Sequence, residues 1–88
     1  MTITKTEINV LKVMSEKDMD WSWIILDRTL SMKGIPGFGN VARIVTNLAE
    51  HGLVDVIYNE ETKHSRYRVS ENGFKALKEL HLTEQDLP

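Results

Sequence analysis

The feature that most restricts how this chain folds is the segment 39–56, where a helical pattern ends at a glycine and passes into an alternating strand. With successive helical residues about 100° apart, one side carries only apolar side chains, namely Val41, Ile44, Val45, Leu48 and Ala49. Asn40 is a suitable N-cap because its side-chain carbonyl can accept a hydrogen bond from a free helix N–H. Gly52 suits the left-handed conformation that ends many helices. We therefore expect a helix over about 40–51 with one buried face.

The opposite face of this helix is predicted to be polar and exposed. Arg43 and Asn47 are residue types that present donors and acceptors to base edges in the DNA major groove, and Thr46 can make one further contact. The pattern is therefore typical of a recognition helix. The alternative interpretation is that Arg43 only solvates the helix surface, or pairs with Glu50 or Asn47.

Length and composition indicate one small domain. The 88 residues provide for a single hydrophobic core, and the 41% hydrophobic and 27% charged content fits a soluble globular protein. No apolar segment approaches the roughly 20 residues that span a bilayer, and the N-terminus lacks the pattern of a signal peptide. We expect one cytoplasmic domain over 1–88, with 1–4 as an N-terminal extension and 82–88 as an acidic tail.

The charge distribution is more informative than the total. The net charge of −2 argues, taken alone, against a protein that coats nucleic acid. Two windows, 28–49 and 62–70, nevertheless contain no acid. They hold six of the eleven basic residues, namely Arg28, Lys33, Arg43, Lys63, Arg66 and Arg68. We therefore expect a locally basic face on an acidic body.

The N-terminal half predicts two more helices. The sequence Thr4-Lys5-Thr6-Glu7 has the form of a capping box, in which a threonine hydroxyl and a glutamate satisfy each other's backbone donors, so a first helix should run to about Ser15. Asp20 or Ser22 can cap a second helix that runs to about Met32.

These two helices carry more apolar side chains than single inner stripes can hold. The inner stripes are Ile8, Leu11 and Met14 in the first helix and Trp23, Leu26 and Leu30 in the second. The apolar residues outside the stripes are Val10, Val13, Trp21, Ile24 and Ile25. Those of the second helix either pack beneath the first helix and the hairpin or form an exposed oligomer surface. We expect a homodimer, since a monomer of this size can hardly cover them all.

A glycine-rich turn separates the second and third helices. Residues 33–39 hold three of the five glycines and one of the two prolines. Such an approach to a helix N-terminus leaves backbone N–H groups available for a phosphate, and a DNA backbone would supply one.

A β-hairpin is predicted after the third helix. Residues 53–58 alternate, with Val54, Val56 and Tyr58 on one face, and residues 65–69 return with Tyr67 and Val69 inward and Arg66 and Arg68 outward. The loop 59–64 is polar, and its Lys63 and His64 are either phosphate contacts or a solvated loop tip. Ser70 can then cap a fourth helix from Glu71 to about Leu80 that buries Phe74, Leu77 and Leu80.

The order of these elements predicts an α+β fold: a winged helix-turn-helix with a three-helix core, a two-stranded β-hairpin wing and a C-terminal helix. Residues 41–54, VARIVTNLAEHGLV, resemble the recognition helix and following Gly-Leu-Val of PadR- and MarR-type transcriptional regulators. Residues 66–73, RYRVSENG, resemble their wing exit, and Ser22-Trp23-Ile24-Ile25 is similar to the Gly-Tyr-x-Ile opening of the second helix in the PadR type. The chain differs at residues 39–42, where that type commonly has Gly-Thr-Leu-Tyr.

The resemblance implies a small transcriptional regulator that binds double-stranded DNA sequence-specifically. The helix at about 40–51 would enter the major groove, and the wing at 53–69 would contact the backbone or minor groove. The predicted DNA-binding residues are Lys33, Asn40, Arg43, Thr46, Asn47, Lys63, His64, Arg66 and Arg68. The alternative is a winged-helix protein-interaction module without DNA binding.

No pattern of catalytic residues is recognisable, and the three histidines do not cluster in sequence. The absence of cysteine excludes disulfides and thiolate chemistry. We therefore expect no enzymatic activity, cofactor or metal. The sequence does not identify a small-molecule effector.

Overall fold

The computed structural model describes residues 3–17 and 19–85, with side chains to Leu80. The elements, in chain order, are α1 (Lys5–Ser15), α2 (Trp23–Lys33), α3 (Val41–Glu50), β1 (Val54–Asn59), β2 (His64–Val69) and α4 (Glu71–Gln85). This is the predicted winged helix-turn-helix. Helix α4 continues to Gln85, beyond its predicted end at about Leu80, so residues 82–85 of the expected acidic tail belong to it. Residues 1–2 of the expected extension and 86–88 of the expected tail lie outside the described residues.

The first two helices begin at the caps that the sequence predicts. The Glu7 N–H donates to Thr4 Oγ1 at 3.2 Å and the Thr4 N–H donates to Glu7 Oε1 at 3.0 Å, which completes the capping box. Ser22, rather than Asp20, caps α2, because its Oγ accepts a hydrogen bond from the Ile25 N–H at 3.2 Å. These side chains fix where α1 and α2 begin.

The start of α3 differs from its prediction. Asn40 occupies the N-cap position, but its side chain makes no capping hydrogen bond. Its backbone has φ −124° and ψ 17°, outside the extended region that directs a capping side chain at the first helix N–H groups. The predicted end is confirmed, since Gly52 adopts the left-handed conformation with φ 73°.

Helix α1 lies at the centre of the core. Its residues Val10, Leu11, Val13 and Met14 are all buried, and the helix contacts α2, α3, α4 and β2. The apolar residues outside its inner stripe are therefore covered within the chain. They give no reason to invoke a partner subunit.

The apolar residues of α2 are arranged differently from their prediction. Leu26 and Leu30 are buried, but Trp23 is 48% exposed. Trp21, just before the helix, is only 2% exposed, and its indole Nε1–H donates to the carbonyl oxygen of Met14 at 3.1 Å. Its backbone pairs with Tyr67 through two N–H···O bonds of 2.7 Å. This pairing holds Trp21 beneath the wing, as the first of the two predicted alternatives has it, whereas Ile24 and Ile25 are exposed.

The hairpin is buried only at its base. The antiparallel register pairs Val54 with Val69 and Val56 with Tyr67. Val54 and Val69 are buried, Tyr67 is half-buried, and Val56 and Tyr58 are exposed. The predicted inward face is correct at the base and wrong further out, because the strands continue beyond the helices that cover them.

Helix α4 packs against Gly52 and Leu53, which follow the end of α3. Ser70 Oγ accepts a hydrogen bond from the Gly73 N–H at 3.0 Å and donates one to the Gly52 carbonyl at 2.6 Å. A Cβ atom on Gly73 would lie 2.2 Å from the Leu53 carbonyl oxygen, so no larger residue fits there without a shift. Because Gly73 faces the core, Phe74 points outward and is 52% exposed, contrary to prediction. Leu77 and Leu80, also predicted to be buried, are half-buried.

Replacing Leu48 by alanine should lower the free energy of unfolding by about 2–5 kcal/mol, because truncating a core leucine leaves a cavity. Leu48 has 0% of its surface exposed. Chemical denaturation measures the change. The matched control is Glu50→Ala on the exposed side of α3, which should cost less than about 0.5 kcal/mol. Equal losses for the two variants would show that α3 does not face the core.

Candidate nucleic-acid interface

The polar face of α3 borders an open groove of about 880 Å³. One wall is α3 itself, and the other is formed by the start of α1 and the turn before α3. The residues that line it are Thr4, Thr6, Glu7, Pro36, Gly37, Asn40, Ala42, Arg43, Ile44, Thr46, Asn47 and Glu50. Four of the predicted DNA-binding residues, Asn40, Arg43, Thr46 and Asn47, are therefore brought together.

Arg43 is the uncommitted cation of this groove. Its side chain is exposed, and it makes no hydrogen bond or ion pair within residues 3–17 and 19–80. The partners considered from the sequence, Glu50 and Asn47, do not engage it. Its guanidinium is therefore free to bind a group from outside the chain.

Thr46 and Asn47 are held by bonds within the protein. Thr46 Oγ1 donates to the carbonyl oxygen of Ala42 at 2.7 Å, which leaves the hydroxyl oxygen able to accept. Asn47 is half-buried, and its Nδ2 donates to Glu7 Oε2. Each of these two side chains thus has one of its donors already bonded within the protein, and only its remaining polar atoms face the groove.

Glu7 connects the two walls of the groove. It is only 8% exposed, and it accepts hydrogen bonds from the Thr4 backbone N–H and the Asn47 amide. The Thr4 N–H is the main reason that the pKa of the Glu7 carboxyl lies below its usual value; burial opposes this shift, and the Asn47 amide adds to it. From the sequence, Glu7 is recognisable only as part of a helix cap. Its contact with α3 joins residues 40 positions apart, so no local pattern indicates it.

The basic residues outside the groove differ in their partners. Arg68 Nε lies 3.1 Å from Asp20 Oδ1, and Lys33 Nζ lies 2.8 Å from Glu16 Oε2. Exposed pairs of this kind stabilise a protein by only about 0–1 kcal/mol. Arg66 is exposed and makes no hydrogen bond or ion pair with the described side chains.

The wing carries the remaining predicted phosphate contacts. Arg66 lies opposite Ile57 in the hairpin, whereas Arg68 lies opposite Asp55. Lys63 and His64 are exposed at the end of the hairpin. Of the described residues that line the α3 groove, none belongs to the wing. The predicted residues therefore form two sets. The α3 set is Asn40, Arg43, Thr46 and Asn47, and the wing set is Lys63, His64, Arg66 and Arg68. Lys33 lies apart from both, at the end of α2.

The part of the chain that the structure describes has neither a cluster of metal ligands nor a membrane-spanning helix. No group of three or more histidine, aspartate or glutamate side chains in that part of the chain is arranged to hold a metal ion. None of the described helices has the length and apolar content needed to cross a bilayer.

The fold is similar to that of a transcriptional regulator from Clostridium thermocellum. The TM-score is 0.69 at 19% sequence identity, and the similarity covers 96% of this chain and 93% of that chain. It therefore extends over the arrangement of helices and wing together. No protein-family model and no curated protein matches the chain.

The Glu7 contacts should make stability depend on pH. Because the folded-state pKa of Glu7 lies below the usual 4.5, its contribution is fully present above the unfolded-state pKa and is lost as pH falls through the folded-state pKa. The free energy of unfolding of the wild type should therefore approach that of Glu7→Gln as the medium is acidified. Denaturant titrations at a series of pH values measure this convergence.

The control for that experiment is Glu50→Gln, which removes the same charge from an exposed position in the same groove. Its stability difference from the wild type should change less with pH. A Glu7→Gln difference that stayed constant throughout acidification would contradict the role given to the Glu7 hydrogen bonds.

Proposed function

We propose that this protein is a transcriptional regulator that binds double-stranded DNA, with α3 in the major groove and the wing on the backbone or adjacent minor groove. The observation that carries the proposal is the uncommitted Arg43 guanidinium on the exposed polar face of the third helix in a winged helix-turn-helix. The similarity in fold to a transcriptional regulator supports it. A cytoplasmic location belongs to the same proposal.

The α3 set would read bases. Arginine commonly makes a bidentate contact to the O6 and N7 atoms of guanine, which assigns Arg43 a role in recognising one base pair. Thr46 and Asn47 would contact neighbouring base edges. Asn40, at the beginning of α3, would lie close to the phosphate backbone.

The wing set and Lys33 would hold phosphates and orient the protein on the duplex. Lys63, His64, Arg66 and Arg68 supply donors without base preference. Because the chain carries a net charge of −2, we expect modest affinity for random DNA that falls quickly as salt is added. Specificity would therefore depend mainly on the α3 set.

A protein-interaction module remains the competing function, and the exposed apolar surface of α2 favours a protein contact. Trp23, Ile24, Ile25 and Met32 are all large, apolar and exposed. We propose that a second copy of the chain covers this surface, since a two-fold dimer would read two half-sites about one helical turn of DNA apart. The same surface would serve a different protein if DNA binding were absent.

Replacing Arg43 and Arg66 separately should have different effects on DNA binding. Arg43→Ala should weaken the preferred site by about 1–3 kcal/mol and relax preference at one position, because it removes a base contact. Arg66→Ala should weaken all sequences alike and reduce the salt slope by about one. Fluorescence anisotropy with a selected site and a random duplex, each at several salt concentrations, separates the two effects.

Lys78→Ala is the control for these variants, since it removes a cation from α4, outside both predicted sets. It should change neither base preference nor the salt slope by a comparable amount. If the wild type bound no duplex at low salt, or if Arg43→Ala and Arg66→Ala bound like the wild type, the protein-interaction module would be the better assignment.

The dimer should have twice the chain mass of 10.1 kDa in light scattering at tens of micromolar protein. Ile24→Asp should return the mass to that of a monomer, because it places a charge in the proposed interface without disturbing the core. Val56→Asp makes the same kind of change at an exposed position on the wing and should leave the dimer intact. A wild-type mass near that of one chain would rule out the dimer under these conditions.

A further inference from the structure

The amide of Asn47 has one orientation that fits its surroundings. Its partner across the groove is the Glu7 carboxylate, which the Thr4 N–H helps to keep ionised at neutral pH. An ionised carboxylate only accepts hydrogen bonds, so the NH₂ group of Asn47 must face it. The carbonyl oxygen Oδ1 is consequently turned away from Glu7.

The Oδ1 atom of Asn47 reaches the surface and has no hydrogen-bond partner among the described residues. No described residue donates to Asn47 Oδ1, and no buried side-chain nitrogen or oxygen among those residues lacks a hydrogen bond. Since Asn47 is half-buried, an unbonded Oδ1 must lie at the surface. Asn47 lines the groove, so the structure presents a hydrogen-bond acceptor there.

The acceptor is held in place before any ligand arrives. Both carboxylate oxygens of Glu7 are engaged, Oε1 by the Thr4 N–H at 3.0 Å and Oε2 by Asn47. The Glu7 N–H in turn donates to Thr4 Oγ1 at 3.2 Å. The hydrogen bonds of the α1 capping box therefore continue to Asn47 in α3 and restrict its side chain. This restriction reduces the conformational entropy that Asn47 would lose on binding.

We propose that Glu7 is a positioning residue of the DNA-reading surface, which fixes Asn47 as an acceptor and so selects a base with a major-groove amino group. This inference rests on the proposed function. Cytosine N4 and adenine N6 are the amino groups available in the major groove. Guanine and thymine offer only acceptors there, so they could meet only the second N–H of the Asn47 amide and would leave its Oδ1 atom without a donor. Arg43, one turn earlier, offers donors only and selects the opposite chemistry.

The first test compares base preferences. The wild type is first used to select a preferred site from a pool of random duplexes. The base position that Asn47 reads is then identified as the one at which the Asn47→Ala variant no longer prefers a particular base. The wild type should favour cytosine or adenine there over guanine or thymine by about 5- to 150-fold. In the Glu7→Gln variant the glutamine can still complete the capping box. The glutamine amide both donates and accepts hydrogen bonds, however, so the Asn47 amide can flip and exchange the positions of its oxygen and its NH₂ group. The base preference of the Glu7→Gln variant at that position should fall by about fivefold or more, since about 1 kcal/mol is the lower end for a good base contact.

Glu50→Gln is the matched control, because it removes the same charge from the same groove at an exposed residue with no described hydrogen bond to Asn47. It should raise affinity for all sequences alike and leave the base preference unchanged. A merely structural role of Glu7 would lower thermal stability without changing the preference profile. Thermal melting measured in parallel separates the two roles.

A second test needs no change at Glu7 and therefore does not depend on how that variant folds. The base at the Asn47 position is replaced by an analogue that lacks the exocyclic amino group, and the wild type is titrated with it. Loss of one hydrogen bond should weaken binding by about two- to tenfold. Removing an amino group from a base outside the selected site is the control.

The outcomes distinguish this inference from the proposed function. If the wild type binds no duplex at low salt, both are overturned, and if it binds duplex but prefers no site, this inference and the base-reading role of α3 are overturned. If it binds a selected site but Glu7→Gln and Glu50→Gln give the same base profile, or if the amino-free analogue binds as well as the normal base, only the inference is overturned. A guanine or thymine at the Asn47 position would also overturn it and leave DNA binding intact.

Discussion

Burial of the apolar side of α3 is the constraint on which the rest of the structure depends. Val41, Val45 and Leu48 are almost completely removed from solvent, and each such burial stabilises the fold by about 1.5–3 kcal/mol. Any rotation of α3 about its axis would expose these side chains. The same contacts that form the core therefore fix the direction of Arg43 and Thr46, so the polar surface of α3 is determined by packing on the other side of the helix.

The wing is attached to this core by Trp21. Its backbone pairs with Tyr67, while its indole bonds to the Met14 carbonyl at the end of α1. One residue thus joins the first helix, the segment before α2 and the second strand. The base of the hairpin is fixed by these contacts, and its outer part, with Arg66 and Lys63, extends into solvent.

Local sequence signals predicted most of the fold. The capping box, Gly52 and the one-sided apolar pattern of α3 each act within a few residues, and the structure follows them at those positions. The predicted burial of individual side chains is wrong in helices that carry apolar residues on more than one face. Trp23 and Phe74 both fit a helical stripe, but the pairing of Trp21 with the wing and the close approach of Gly73 to Leu53 decide which side chains are buried.

The candidate site could be predicted only in part for the same reason. The exposed face of α3 follows from its pattern, and the structure places Arg43, Thr46 and Asn47 on it. The partners of these residues depend on tertiary contacts. The bond from Asn47 to Glu7 and the ion pair between Arg68 and Asp20 both join segments far apart in sequence. No spacing rule relates such residues.

We propose that α3 and the wing form one DNA-binding surface. The most direct test is a titration of isotope-labelled protein with a duplex that carries its selected site, followed by the backbone amide chemical shifts. The largest changes should occur in α3 and at the hairpin tip around Lys63 and Arg66, and the exposed part of α4 should change little. Changes concentrated on the exposed apolar face of α2, with α3 unaffected, would contradict it.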